Sequence, residues 1–225
     1  MEAIPNPTER AQTAREEIAN SLSHGLMLVA ALIAAPFLFV ARSGHQPHIT
    51  AMIGYAVFAT TMVLLYLTST VYHALPDGSS KRLFLRLDLA AIYLFIAGSY
   101  TPFAMAAMSA LDGSPDPWAW ARLGGVWALA VTGASLKIFE RSSHRVFSTA
   151  LYLAMGWTVL IAALPLIERV PAASVFWLVT GGVAYSVGVM FFVLNSRLRF
   201  AHAVWHGFVA TGTGCHFAAV MNYAV

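Results

Sequence analysis

The chain has 225 residues, of which 59% are hydrophobic and only 10% are charged. Soluble domains carry roughly a quarter charged residues, so the composition excludes a soluble globular protein and predicts an integral membrane protein. The net charge is +3, but the basic residues are dispersed between apolar runs instead of gathered on one face, which argues against a nucleic-acid partner. The single cysteine, Cys215, lies in an apolar run. It can form no intramolecular disulfide, and nothing beside it marks a thiol nucleophile.

The N-terminal stretch carries Glu2, Glu9, Glu16 and Glu17. It lacks the basic start of a cleaved signal peptide and reads as a short polar cytoplasmic leader over 1–17, ahead of one transmembrane domain over 18–225. Charge-free runs follow in order: Ile18–Ala41, Ser43–Pro76, Leu89–Leu111, Leu123–Leu136, Val146–Ile167, Val170–Ser196 and Phe200–Val225. A spanning helix needs about 20 apolar residues. Six runs meet that length. The fourth reaches it by taking in Pro117–Ala121 and letting Arg122 snorkel to the interface. The expected fold is an all-α bundle of seven transmembrane helices. There is no low-complexity segment and no clear internal repeat.

Seven spans divide the basic residues unevenly. Ten fall on the side of the N-terminus: Arg10 and Arg15, then Lys81, Arg82 and Arg86, then Lys137, Arg141 and Arg145, then Arg197 and Arg199. Arg42, Arg122 and Arg169 fall on the other side. The positive-inside rule puts the N-terminus in the cytoplasm and the C-terminus outside. The basic inner face also suits contact with anionic lipid.

Depth along the membrane normal then sorts the polar residues inside the spans. Helix two descends from near His48, so Ser69 and His73 lie at its cytoplasmic end. Helix three rises from near Arg82, which puts Asp88 one to two turns in. Helix seven rises from near Arg199, so His202 and His206 occupy its first two turns. Asn20 and His24 of helix one lie at the same level. Four helices thus bring polar groups to one slab, the cytoplasmic leaflet.

An ionisable residue inside a span is a functional-site hypothesis by default. His202 and His206 are separated by four residues, which puts both rings on one helix face and suits two nitrogen ligands to one zinc ion. His73 supplies a third imidazole. Three ligands leave a fourth tetrahedral position open, as catalytic zinc sites do. No glutamate follows His202, so a base must come from elsewhere. Asp88 is the intramembrane carboxylate at the right depth. Ser69, one turn before His73, stands where it can bond a ligand or a developing oxyanion.

Ser69-x-x-x-His73, Asp88 and His202-x-x-x-His206 together resemble the signature of the progestin and adipoQ receptor family. They are also similar to the wider superfamily of alkaline ceramidases. The hemolysin III branch, which is bacterial, is the most similar part. Glu17-Ile-Ala-Asn20-Ser-Leu-Ser-His24-Gly resembles that branch, as do Asp88 with Ile92–Phe103 and His202-Ala-Val-Trp205-His206-Gly-Phe208-Val209. The resemblance runs from helix one to helix seven. It implies seven helices with the N-terminus inside and a multi-pass protein of the bacterial inner membrane. It also implies zinc on His73, His202 and His206, with Asp88 and Ser69 nearby. Its receptor members imply hydrolysis of ceramide-like lipid amides, so a membrane lipid is the expected substrate.

Plainer roles exist for each residue. His202 and His206 could be interfacial histidines bonded to backbone or headgroups. His73 could close helix two at its C-terminus. Asp88 could pair with Arg86 or Arg82, and Ser69 could simply pack helices. His24 is expected as a hydrogen-bonded neighbour of the site with Asn20. His216, about 20 Å further along helix seven, is expected as a satisfied core histidine or as lining of an outer cavity. His45, His48 and His144 read as loop residues. Pro102 is expected to kink helix three, and Trp118, Trp120 and Trp177 to anchor the outer interface. The first functional expectation is a zinc-dependent hydrolase of a lipid amide or ester, with Asp88 shuttling the proton. The alternatives are a non-enzymatic regulator or sensor with structural zinc, or a pore-former.

Overall fold

The computed structural model describes residues 10–40, 49–109, 117–139, 145–163 and 170–223. His45, His48 and His144 lie outside them. Apart from short turns between them, the described residues form helices, with seven α-helices and no strand. These are α1 (Ala14–Ala34), α2 (Ile49–Ala74), α3 (Ser79–Ser109), α4 (Ala119–Ile138), α5 (Arg145–Ala163), α6 (Ala172–Leu194) and α7 (Ala201–Tyr223). A 3₁₀ turn, Ala35–Phe39, continues α1 past Ala34. Among the described residues, four elements are long and apolar enough to cross a membrane: Ala14–Phe39, Ile49–Ala74, Ser79–Met108 and Ala172–Leu194.

Helix α1 is built inside out. Its buried residues are Glu16, Asn20, His24 and Ala31, and the first three recur at the four-residue spacing of one helix face. Its exposed face carries Ile18, Leu22, Leu26, Val29 and Ile33. Helix α6 shows the same outward stripe, with Phe176, Val179, Val183, Val187 and Met190 exposed. Contiguous apolar surface on this scale is what a helix offers to lipid, and the polar groups must then find partners inside the bundle.

Helices α2 and α3 pack along each other, as do α6 and α7; α3 also packs on α4, and α1 on α2 and α7. Small residues allow the close approaches. A Cβ on Gly54 would lie 2.8 Å from the Pro102 Cα, and one on Gly212 would lie 2.6 Å from the Tyr185 ring. Pro102 sits inside α3 and is fully buried at this contact. Trp118 and Trp120 are exposed, in keeping with an interfacial position.

The start of α1 is fixed by a network centred on Glu16. Thr13 caps the helix in a reciprocal capping box with Glu16, so the helix begins four residues before the charge-free run. Arg10 donates two hydrogen bonds to the Glu16 carboxylate, at 2.7 and 2.6 Å. The Phe200 backbone N–H donates to the same carboxylate at 2.9 Å. Phe200 has φ of 59°, a left-handed conformation that is costly for an aromatic residue. Glu16 therefore holds the strained entry to α7 against the first turn of α1. Glu16→Ala strips acceptors from three donors at once. The midpoint of thermal unfolding in detergent is expected to fall by about 5 °C or more, and α7 should gain protease sensitivity at its start.

Candidate metal centre

Three imidazoles meet where the end of α2 faces the start of α7. His73 lies one residue from the α2 terminus, while His202 and His206 lie in the first two turns of α7. One ring nitrogen from each can be chosen so that all three lie within 4.8 Å of one another. Ring centroids are 5.0 Å apart for His73 and His202, 5.2 Å for His73 and His206, and 4.6 Å for His202 and His206. A tetrahedral ion with bonds of about 2.1 Å holds its ligand atoms roughly 3.4 Å apart. His73 and His206 are buried and His202 is half-buried.

Hydrogen bonds show which nitrogen each ring has to offer. The Glu17 carboxylate lies 2.6 Å from His73 Nδ1. A carboxylate accepts, so Nδ1 carries the proton and Nε2 keeps its lone pair. That Nε2 is buried without a hydrogen-bond partner. His206 Nδ1 lies 3.2 Å from the Asn20 carbonyl and 2.9 Å from Ser23 Oγ. Ser23 spends its own proton on the Asn20 carbonyl, so both neighbours accept from His206 Nδ1–H. Its Nε2 is again the bare nitrogen. The Asn195 Nδ2 amide lies 3.1 Å from His202 Nδ1 and donates to it, so this ring does not share the pattern of the other two; turning the carboxamide over would put its oxygen on Nδ1–H and free His202 Nε2. Histidines that bind metals place the other ring N–H on a carboxylate or carbonyl in this way. The donor set therefore fits a metal ion.

Helix α1 supplies most of this support. Glu17 also accepts from Lys81 Nζ at 2.8 Å, which ties the His73 partner to the start of α3. Asn20 gives its backbone carbonyl to His206 and its side-chain N–H to Gln12 at 2.8 Å. The expected hydrogen-bonded role for His24 is corrected: it adjoins the site, but by stacking on His206 with ring centroids 3.5 Å apart and planes 15° apart. Neither of its nitrogens has a partner.

Two cavities meet at the histidines. One, of about 1570 Å³, carries the charged side chains of Arg10, Glu17, Lys81, Arg86 and Lys137 together with His73 in its wall. Lys137 is held there by Ser148 of α5. The other, of about 150 Å³, is apolar, with Leu65, Ile92, Phe95, Val189, Phe192 and Val209 in its wall. Ser69, His24 and His206 line the apolar one, and His216 belongs to it too, beside Tyr185. Asp88 and His202 line both. Ser69 Oγ neighbours the Asp88 carboxyl without closing a good hydrogen bond to any group.

Sequence reasoning located the three histidines, Ser69 and Asp88 around one place. It missed Glu17, Ser23 and Asn195 as partners of the imidazoles. Glu17 and Ser23 stand within the α1 motif, and their spacing to Asn20 and His24 was the available signal.

The family described as "Haemolysin-III related" matches residues 12–217. Hemolysin-3 of Bacillus cereus is 37% identical over 218 residues, covering 97% of this chain and 96% of the relative. A hemolysin-3 homolog of Bacillus subtilis is 36% identical, covering 95% and 96%. Human monocyte to macrophage differentiation factor is 28% identical, covering 94% of this chain and 85% of its own length. The match runs from α1 into α7 and takes in Glu17, His24, Ser69, His73, Asp88, His202 and His206, and with the apolar helices it makes the chain a multi-pass membrane protein of the haemolysin-III-related family.

Proposed function

We propose that the chain is a zinc-dependent hydrolase of a lipid amide or ester, built on seven membrane-spanning helices with the N-terminus in the cytoplasm of a bacterium. The observation that carries the reading is the position of Asp88 and His202 in the walls of both cavities. A lipid hydrolase must bring water and an apolar chain to one point, and these two residues stand where a polar vestibule meets an apolar cavity.

Zinc held by His73, His202 and His206 would supply Lewis acidity, acidifying a water and polarising a carbonyl. The chain's own residues do the rest. The apolar cavity holds an alkyl chain and excludes water around it. The vestibule admits water from the polar side. Asp88 takes a proton from the attacking water at a carboxylate oxygen and returns it to the leaving nitrogen or oxygen. The Ser69 hydroxyl donates to the carbonyl oxygen as negative charge builds there. Glu17 and Asn20 hold the His73 and His206 imidazoles in the tautomer that leaves Nε2 bare, and Asn195 positions the His202 ring.

Helices α4, α5 and α7 count as spans by length. They have 20, 19 and 23 residues, or about 30, 28 and 34 Å at 1.5 Å per residue, against a hydrocarbon core of about 30 Å. The lower apolarity of α4 and α7 has a cause: α4 carries Arg122 and Lys137, and α7 carries three histidines. The cations lining the vestibule support a cytoplasmic site.

The purified chain should hold about one zinc ion. His73→Ala, His202→Ala and His206→Ala should each lower metal content strongly, while His144→Ala should not. Glu17→Gln should weaken zinc affinity by about 10–100-fold in chelator competition. Full occupancy in the His202→Ala, His206→Ala double variant would remove the assignment.

Asp88→Asn should retain zinc and fold but reduce release of fatty acid from ceramide-like and ester lipids in nanodiscs by about 10²–10⁴-fold. If turnover survives both a chelator and Asp88→Asn, the hydrolase reading is wrong. If the wild type never turns over, a structural zinc tying α2 to α7 is the better account.

Reporter fusions after Lys81, Arg141 and Arg197 should report the cytoplasm, and a fusion at the C-terminus should report the outside. A cytoplasmic C-terminus would contradict the odd number of spans.

A further inference from the structure

His24 has no part in the scheme above, yet its surroundings demand one. It is 4% exposed, stacked face to face on His206 and met edge-on by Tyr66 at 5.1 Å. Both ring nitrogens are buried with no hydrogen-bond partner. A neutral imidazole always presents one N–H donor and one acceptor nitrogen. Leaving either unmade in a buried site costs about 1–3 kcal/mol. On the same α1 face, Glu16 bonds Arg10, Thr13 and Phe200, and Asn20 bonds Gln12 through its amide nitrogen, leaving only its Oδ1 without a partner; His24 has neither nitrogen paired. If stacking were the whole role, a phenylalanine would serve without that cost.

A fourth metal ligand is excluded by the stack. An ion on His206 Nε2 lies in the plane of the His206 ring, because the nitrogen lone pair lies there. The His24 plane runs nearly parallel, with its centroid 3.5 Å away. A bond of about 2.1 Å to His24 needs the ion in the His24 plane instead. The ring is therefore beside the metal position and out of bonding reach, while it lines the apolar cavity with Ser69, Asp88, His202 and His206.

We infer that His24 is a ligand-binding residue, whose imidazole hydrogen-bonds the polar head of an amphiphile seated with its alkyl chain in the apolar cavity. The head is of the carbonyl, hydroxyl or amide class, able to meet an N–H donor, an acceptor nitrogen, or both. The inference rests on the cavity taking a lipid chain and the histidines taking a metal, and it is independent of hydrolysis.

The test uses the full chain in detergent, loaded with cobalt as a coloured substitute, and dodecanohydroxamic acid as the probe. Probe binding is followed by the cobalt absorption spectrum. His24→Phe keeps an aromatic ring for the stack and removes both nitrogens. It should keep full cobalt content and bind the probe at least about tenfold more weakly. His24→Gln restores a donor and an acceptor and should recover most of the affinity. In the wild type with isotope-labelled histidine, the His24 ring nitrogen resonances should move when the probe is added, a readout that needs no variant. Unchanged affinity in His24→Phe overturns the inference. So does loss of cobalt in both variants, a wild type that does not bind the probe, or a His24 resonance that ignores it. Absent lipid turnover with His24-dependent probe binding would sink the hydrolase reading and leave this one standing.

Discussion

An imidazole buried among apolar helices has one nitrogen to spare for a metal only if the other is already committed. Helix α1 makes that commitment. Glu17 takes the Nδ1 proton of His73, and the Asn20 carbonyl with Ser23 takes that of His206. Glu16, one residue earlier, grips the Phe200 amide at the entrance to α7. Three consecutive turns of one helix thus set the tautomers on α2 and α7 and fix the height at which α7 begins. The cost of unpaired polar groups in a lipid-facing bundle makes these bonds close to obligatory, so the orientation of the histidines follows from the fold.

The same constraint explains the odd hydropathy of the bundle. Helices α1 and α6 spend their apolar residues outward, and the polar residues of α1 turn inward to the site. Helix α7 carries so many polar groups that it falls below the apolarity of α2, α3 and α6, although at 23 residues it is as long as α6. Its deficit is concentrated in residues that face other helices: His206 against α1, Thr213 against Tyr185, and His216 near Gly181. Hydropathy alone ranks such a helix low because the scale charges it for groups that face other helices instead of lipid.

The convergence of His73, Asp88 and the His202/His206 pair was legible in the sequence because it depends only on depth. Helix boundaries and a topology place each residue along the bilayer normal, and the structure brings the same residues to one end of the bundle. The partners of the imidazoles were not legible. Whether Glu17 meets His73 depends on how α1 is rotated against α2, and periodicity does not fix that rotation. Glu17 and Lys81 read as charges bounding apolar runs, when they form an ion pair beside the site. His24 was placed at the right depth, but a hydrogen bond was expected where the packing makes a ring stack. The cavities were invisible for the same reason: their walls come from helices whose rotation and spacing emerge only on assembly.

A soluble zinc-protease helix carries two histidines and its base glutamate within one turn. Here the candidate ligands and the carboxylates beside them are spread over α1, α2, α3 and α7. No single helix, inserted alone, presents a usable metal site or a carboxylate beside it. Ligand geometry is therefore available only after the helices have packed, and binding energy for a metal becomes energy for packing. The acidic support on α1 strengthens the link, because Glu17 bonds both His73 on α2 and Lys81 on α3. A metal on His73 draws on the Glu17 hydrogen bond, and that bond holds only while α1, α2 and the start of α3 stay together. Distributing the histidines and their partners across the bundle would make any metal bound there and the fold one cooperative unit.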